Sequence, residues 1–156
     1  MYVQPIKWKG KLKDFKFHNI KVFKGSLKPS PNGLETHNIT LEILSRKLIS
    51  KTRRMIKFSY IALMEPYTGE ISFNGSCIFV SPNQDNIDLL LETSQSFRMR
   101  VKYTIHKHAY QFTEDIAKKY GMIFLPSKIV LRDLYSFYSK EIKKEKEIIE
   151  HEIGKS

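Results

Sequence analysis

Apolar and polar residues alternate with a period of two over four stretches of the first half of this chain. In the second half apolar residues recur at steps of three and four instead. A period of two places successive side chains on opposite faces of a strand, whereas steps of three and four gather them on one face of a helix. The first stretch, Phe15 to Phe23, is rich in aromatic and β-branched residues and reads as a strand. Lys28-Pro29-Ser30-Pro31-Asn32-Gly33 closes it, because proline cannot donate to a ladder and Asn-Gly favours a turn. In the second, Ile39, Leu41 and Ile43 share one face, opposite Thr40 and Glu42. The third runs from Met55 to Met64, with Ile56, Phe58, Tyr60 and Ala62 on one side. The turn Glu65-Pro66-Tyr67-Thr68-Gly69 leads into the fourth, where Ile71, Phe73, Cys77 and Phe79 alternate with Ser72, Asn74 and Ser76. The connections are too short for the helical crossovers that parallel pairing needs, so an antiparallel meander is expected.

The helical period sets in after Ser81-Pro82-Asn83-Gln84. Asp85 is placed to cap free amides, and Asp88 suits the positive first turn. Ile87, Leu91, Ser94, Phe97, Val101, Ile105, His108, Phe112 and Ile116 mark one face of a helix running from Asp85 to Tyr120. A helix of that length, roughly 54 Å, overhangs a small sheet, and the stripe on the overhang must be buried somewhere. A second copy of the chain is the natural cover, which makes Phe97, Val101, Ile105, His108 and Phe112 candidates for an oligomer interface in a dimer or tetramer. Gly121 ends the helix, since glycine takes the left-handed conformation that terminates one. Met122-Ile123-Phe124-Leu125, closed by Pro126, then predicts an extended apolar crossover. It either packs on the domain itself or offers an apolar surface to other polypeptides. A second helix is predicted from Ser127, with Leu131, Leu134, Tyr135, Tyr138 and Ile142 as its stripe and a solvated Glu/Lys tail. The organisation is thus a basic arm (1–14), one α+β domain (15–140) and a charged helical tail (141–156).

Composition narrows the function classes. The 156 residues are 41% hydrophobic, ordinary for a globular domain, and the longest apolar runs fall far short of the roughly 20 residues that span a bilayer. The opening residues lack the apolar core of a secretory signal, so no membrane insertion and a cytoplasmic location are expected. The lone Cys77 allows no internal disulfide. The net charge is +11, and eight lysines between Lys7 and Lys28 are opposed only by Asp14. Such a field suits a polyanion or an acidic protein, and equally a solvated lysine-rich surface.

Chemistry is scarce. His106 and His108 are two apart and point about 200° away from each other on a helix, so they cannot share a metal ion; one buried and one exposed imidazole is the better reading. Cys77 shares a strand face with Phe73 and Phe79 and reads as a small core residue. Glu114 and Asp115 lie on different helix faces, a poor arrangement for paired acid–base carboxylates. No P-loop, dinucleotide fingerprint or nucleophile elbow is present. The chain reads as a binder without cofactor or metal, not as an enzyme.

The pieces in their order resemble the SecB family of export chaperones. Phe15 to Pro31 is similar to that family's opening strand and proline-rich turn, Ile39-Thr40-Leu41-Glu42-Ile43 to its second strand, and Cys77-Ile78-Phe79 to the end of its fourth. Met122 to Tyr135 is similar to its crossover and the start of its final helix. The resemblance implies an α+β fold with a four-stranded antiparallel sheet, a long helix, an apolar crossover and a second helix. It implies a homotetramer that holds unfolded or newly made polypeptides in apolar grooves without ATP, for export or for an antitoxin client. The groove residues it implies are Ile39, Leu41 and Ile43, with Met122, Ile123, Phe124, Leu125, Leu131 and Leu134. Two acidic positions by which that family docks the SecA motor read Lys24 and Lys28 here, and a third falls near Ser72, which argues against SecA as a partner. The alternative is a nucleic-acid- or ribosome-associated protein using the Lys7–Lys28 field with Trp8, Phe15 and Phe17.

Overall fold

The computed structural model describes residues 10–24, 36–65, 69–81, 92, 94–122 and 124–154. Four strands, β1 (Lys11–Lys24), β2 (Thr36–Ser50), β3 (Arg53–Glu65) and β4 (Gly69–Val80), are followed by two helices, α1 (Gln95–Lys119) and α2 (Ser127–Gly154). The strands form one antiparallel sheet in the order β1-β4-β3-β2. This differs from a simple meander: β2, β3 and β4 are joined in sequence, but β1 pairs with β4 rather than β2. The reach of the chain permits it. Twelve steps from Lys24 to Thr36 can span about 40 Å, while three strand spacings are only about 14 Å.

Residues directly opposite each other in an antiparallel pair share a face. Ile56, Phe58, Tyr60 and Ala62 of β3 and Ile71, Phe73, Cys77 and Phe79 of β4 are all buried on the inner face, as their alternation predicts. Gly75 completes that face. A Cβ there would stand 2.4 Å from Phe58 Cζ, so the two aromatic rows close over it only because no side chain intrudes.

The first strand begins at Lys11, earlier than the alternation from Phe15 indicates, and its pattern is broken twice. Between Lys13 and Lys16, and again between His18 and Lys21, β1 advances three residues while β4 advances two. These bulges, with Asp14 at φ 55° and Asn19 at φ 53°, shift the alternation by one residue each. Leu12, Phe17 and Val22, five apart in sequence, consequently share the inner face.

Helix α1 lies across that face, packed on β1, β3 and β4. Over the described residues it starts at Gln95, where the Ser94 hydroxyl accepts from Phe97 N at 3.2 Å, and the expected start at Asp85 lies outside them. Phe97, Val101, Ile105, Ala109 and Ile116 are buried against the sheet. The helix stops where the sequence indicates. Gly121, at φ 65°, donates to Lys118 O, and Met122 N donates to Ala117 O, so two otherwise open carbonyls are satisfied. Lys24 Nζ donates to Tyr120 O at 3.3 Å, placing a cation at the negative end of the helix.

The crossover returns the chain antiparallel to α1. Tyr110 OH donates to Leu125 O, and Glu114 Oε2 accepts from Ser127 N at 3.1 Å, so a carboxylate carried by α1 caps α2. Val130 is fully buried between the helices, and Tyr103 meets Tyr135 edge-to-face at 5.6 Å.

Candidate functional site

Strand β2 is an edge of the sheet, and α1 packs on the other three strands. That geometry leaves its inner apolar row covered on one side only. Ile39, Leu41 and Ile43 stand opposite Ala62, Tyr60 and Phe58, which are buried, yet they are themselves half-buried. Beyond Ile43 the ladder slips, because Leu44 has no partner between the Ile43–Phe58 and Ser45–Lys57 pairs. Leu44 is 53% exposed. Leu41, Ile43 and this leucine border a groove of about 820 Å³ whose far wall is the start of α1.

The strand side of the groove mixes these apolar residues with Glu42, Ser45 and Arg46, and the rim is charged. Arg46 holds Glu92 at 3.4 Å, while Arg98 and Lys102, one turn apart, line the helix side. Partial burial and the neighbouring Arg98 charge lower the pKa of Lys102. Leu44, Arg46, Arg98 and Lys102 were not identified from the sequence. The consecutive Ile43-Leu44 pair, which breaks strict alternation, was the signal for the first of them.

The crossover closes the other end of the sheet. Met122 Cε and Phe124 Cε2 lie 2.9 and 3.7 Å from where a Cβ on Gly69 would be. Gly69 pairs with Met64, one inner row beyond the Ala62 that faces Ile39. The structure thus brings Ile39 to the same end of the sheet as the crossover. Met122 is buried, Phe124, Leu125 and Leu134 are half-buried against the core, Leu131 is half-buried, and Ile123 lies outside the described residues.

The five stripe residues of α1 face their own sheet. Phe97, Val101 and Ile105 are buried in the core of the single chain. Phe112 stacks on Phe17 at 4.3 Å, and His108, although exposed, stacks on Phe15 at 3.9 Å. Phe15 and Phe17 therefore pack inward and are not on the surface that would meet a nucleic acid; Trp8 and Lys28 lie outside the described residues. On the opposite side of the helix pair, Met99, Tyr103, Tyr135 and Tyr138 line a second groove of about 420 Å³.

With this geometry the chain can be compared with known proteins. No family model matches it, and no curated protein matches it in sequence. Among solved structures it is similar to a SecB-like chaperone from Mycobacterium tuberculosis, in complex with a ChAD peptide from the HigA1 antitoxin. The two share 9% identity and a TM-score of 0.54, over 75% of this chain and 87% of that one. The fold is SecB-like. The α+β architecture implied by the sequence resemblance is thus present, with four antiparallel strands followed by two helices.

Other groups of interest are structural. The buried imidazole is His106, whereas the stripe placed His108 inward. His106 Nε2 is 2.9 Å from Tyr138 OH and Nδ1 is 3.3 Å from Tyr60 OH, so one ring joins the sheet, α1 and α2. Burial, then the Lys102 charge, lowers its pKa to about 4. The unfolded chain takes up this proton near pH 6.5 and the folded chain does not, so the folded state loses stability as pH falls from 6.5 towards 4. The loss expected from this group is roughly 3 kcal/mol, levelling below pH 4. Thermal melts across that range should show the fall, and His106→Gln should flatten it; an equal slope in the variant refutes the assignment. Cys77 is fully buried and its pKa is pushed up to about 12, leaving almost no thiolate at neutral pH. Among the described residues, no cluster of potential metal ligands forms, and no helix is long and apolar enough to cross a membrane.

Proposed function

We propose that this chain is an ATP-independent holdase that covers apolar segments of non-native polypeptides and slows their aggregation. The observation that carries this reading is the half-buried apolar row on an open edge strand, Ile39, Leu41 and Ile43, continued by the exposed Leu44. The similarity to a chaperone solved with a bound peptide supports it. An extended client segment laid along β2 gains in two ways. Its backbone pairs with the unsatisfied edge, and its apolar side chains enter the groove, with no nucleotide chemistry required. In this reading the crossover residues Met122 to Leu125, with Leu131 and Leu134 of α2, contact the client at the other end of the sheet.

Clients of this kind include newly made proteins awaiting export and antitoxins of toxin–antitoxin systems, both met in the cytoplasm. SecA is not the partner in this reading, because Lys24 and Lys28 stand where an acidic docking surface is required. Self-association as a dimer or tetramer uses the outward side of the helix pair, where Tyr135 and Phe137 are 60% and 55% exposed. The test is dilution of a chemically denatured model protein into buffer containing this protein and no nucleotide, followed by light scattering. Strong suppression of scattering near equimolar ratio is expected; undiminished scattering at severalfold excess overturns the proposal.

A further inference from the structure

The two bulges of β1 have a second consequence, on the face of the sheet turned away from the helices. Without them, Lys16 would sit on the opposite face from Lys11, Lys13 and Lys21. With them, these four lysines stand opposite Ser76, Val80, Ile78 and Ser72 respectively, all of which alternate with the buried residues of β4. The same register places Arg53 and Lys57 of β3 beside Val80 and Ser76, and Lys47 of β2 beside Met55. Six of these seven cations are exposed and Lys13 is half-buried. Opposing them by register in these rows are Glu42, Glu65 and Glu70, with His18 the remaining titratable group there and Asp14 in the first bulge. Among the described residues the ion pairs lie elsewhere, at Arg46–Glu92, Lys118–Glu114 and Arg132–Asp133.

We propose that this outward sheet face binds a nucleic-acid strand through its phosphates, without sequence preference. Lysines on alternate strand residues are about 6.7 Å apart, comparable with the step between successive phosphates of an extended strand. Lysine presents a compact charge on a flexible stem, which suits tracking a backbone more than reading bases. The centre of the face mixes hydrogen-bonding groups with the exposed Ile20 and Ile61. Asn19, Lys21, Ser59, Ser72 and Asn74 line a depression of about 510 Å³ where the second bulge opens the β1–β4 ladder. The even spacing of the lysines along β1 matches the regular charges of a phosphate backbone, which an acidic protein surface does not repeat. The face lies on the other side of the sheet from the β2 groove, so this inference is independent of the holdase reading.

The experiment uses the full chain and a fluorescein-labelled single-stranded RNA of mixed sequence, with anisotropy followed between about 50 and 200 mM salt. Binding that weakens steeply with salt is expected. Lys16→Glu/Lys21→Glu should bind at least tenfold more weakly, with the slope of log K against log salt reduced by about 1.4, two phosphates at about 0.7 each. Lys128→Glu/Lys140→Glu carries the same change in net charge on exposed α2 positions and should alter affinity less than threefold. Circular dichroism confirms that both variants fold, and both should keep any suppression of client aggregation. No RNA binding by the unmodified protein, or equal weakening by the two variants, overturns the proposal. So does tighter, equally variant-sensitive binding of polyglutamate or of vesicles containing phosphatidylserine, which would assign the face to an acidic protein or a membrane.

Discussion

Leu41→Ser/Leu44→Ser should remove most suppression of client aggregation while leaving the chain folded. Both leucines line the groove beside β2, but neither belongs to the fully buried core: Leu41 is half-buried and Leu44 is 53% exposed. Full burial of a leucine side chain is worth about 1.5–3 kcal/mol, so the pair contributes roughly 2 kcal/mol to folding, against a total of about 5–15. A client segment that buries what the fold leaves open draws on the remainder. The expected result is a melting temperature lowered by about 4–8 °C, with client affinity reduced tenfold or more. Phe58→Ala is the contrast, because Phe58, across the ladder from Ile43, is fully buried in the core. It should cost about 3–5 kcal/mol of stability and affect client binding only through unfolding. Leu44 makes the comparison decisive. If suppression survives its replacement, with β2 intact by circular dichroism, the groove beside β2 is not the client site.

Val101→Asp should abolish cooperative folding altogether. The stripe of α1 suggested an interface between copies, in which case a charge at Val101 would yield folded monomers. The structure places Val101 at 0% exposure inside the single chain, packed with Ile105 and Phe97. An unpaired carboxylate buried there costs several kcal/mol, comparable with the whole stability of a domain. Far-UV circular dichroism and a thermal melt should show no cooperative transition. Tyr103→Asp, two residues along the same helix, changes the outward side instead, where Tyr103 meets Tyr135. It should keep the fold and lower the native mass. A folded, monomeric Val101→Asp variant would return the stripe to the interface.

Much of the core was legible because each central strand is covered on one face only. Ile56 to Ala62 and Ile71 to Phe79 alternate without interruption, and period two alone assigns them to the interior. The end of α1 was equally plain, since Gly121 is followed by a closing proline and the left-handed conformation is local. These features depend on residues within a turn or two of one another. The expected cap at Asp85 lies outside the described residues; within them the Ser94 hydroxyl accepts from Phe97 N.

Local pattern was enough for the α+β class, the inward rows of β3 and β4, the crossover after Gly121 and the second helix from Ser127. Long-range packing alone placed β1 beside β4, because periodicity carries no information about a strand's neighbours. It also decided that Ile39, Leu41 and Ile43 are half-open while their partners on β3 are closed, a consequence of β2 being an edge beyond the reach of α1. The same holds for the lysines of β1. Their spacing fits no single face until bulges at Asp14 and Asn19 shift the register, and those bulges exist because Leu12, Phe17 and Val22 must all reach one core.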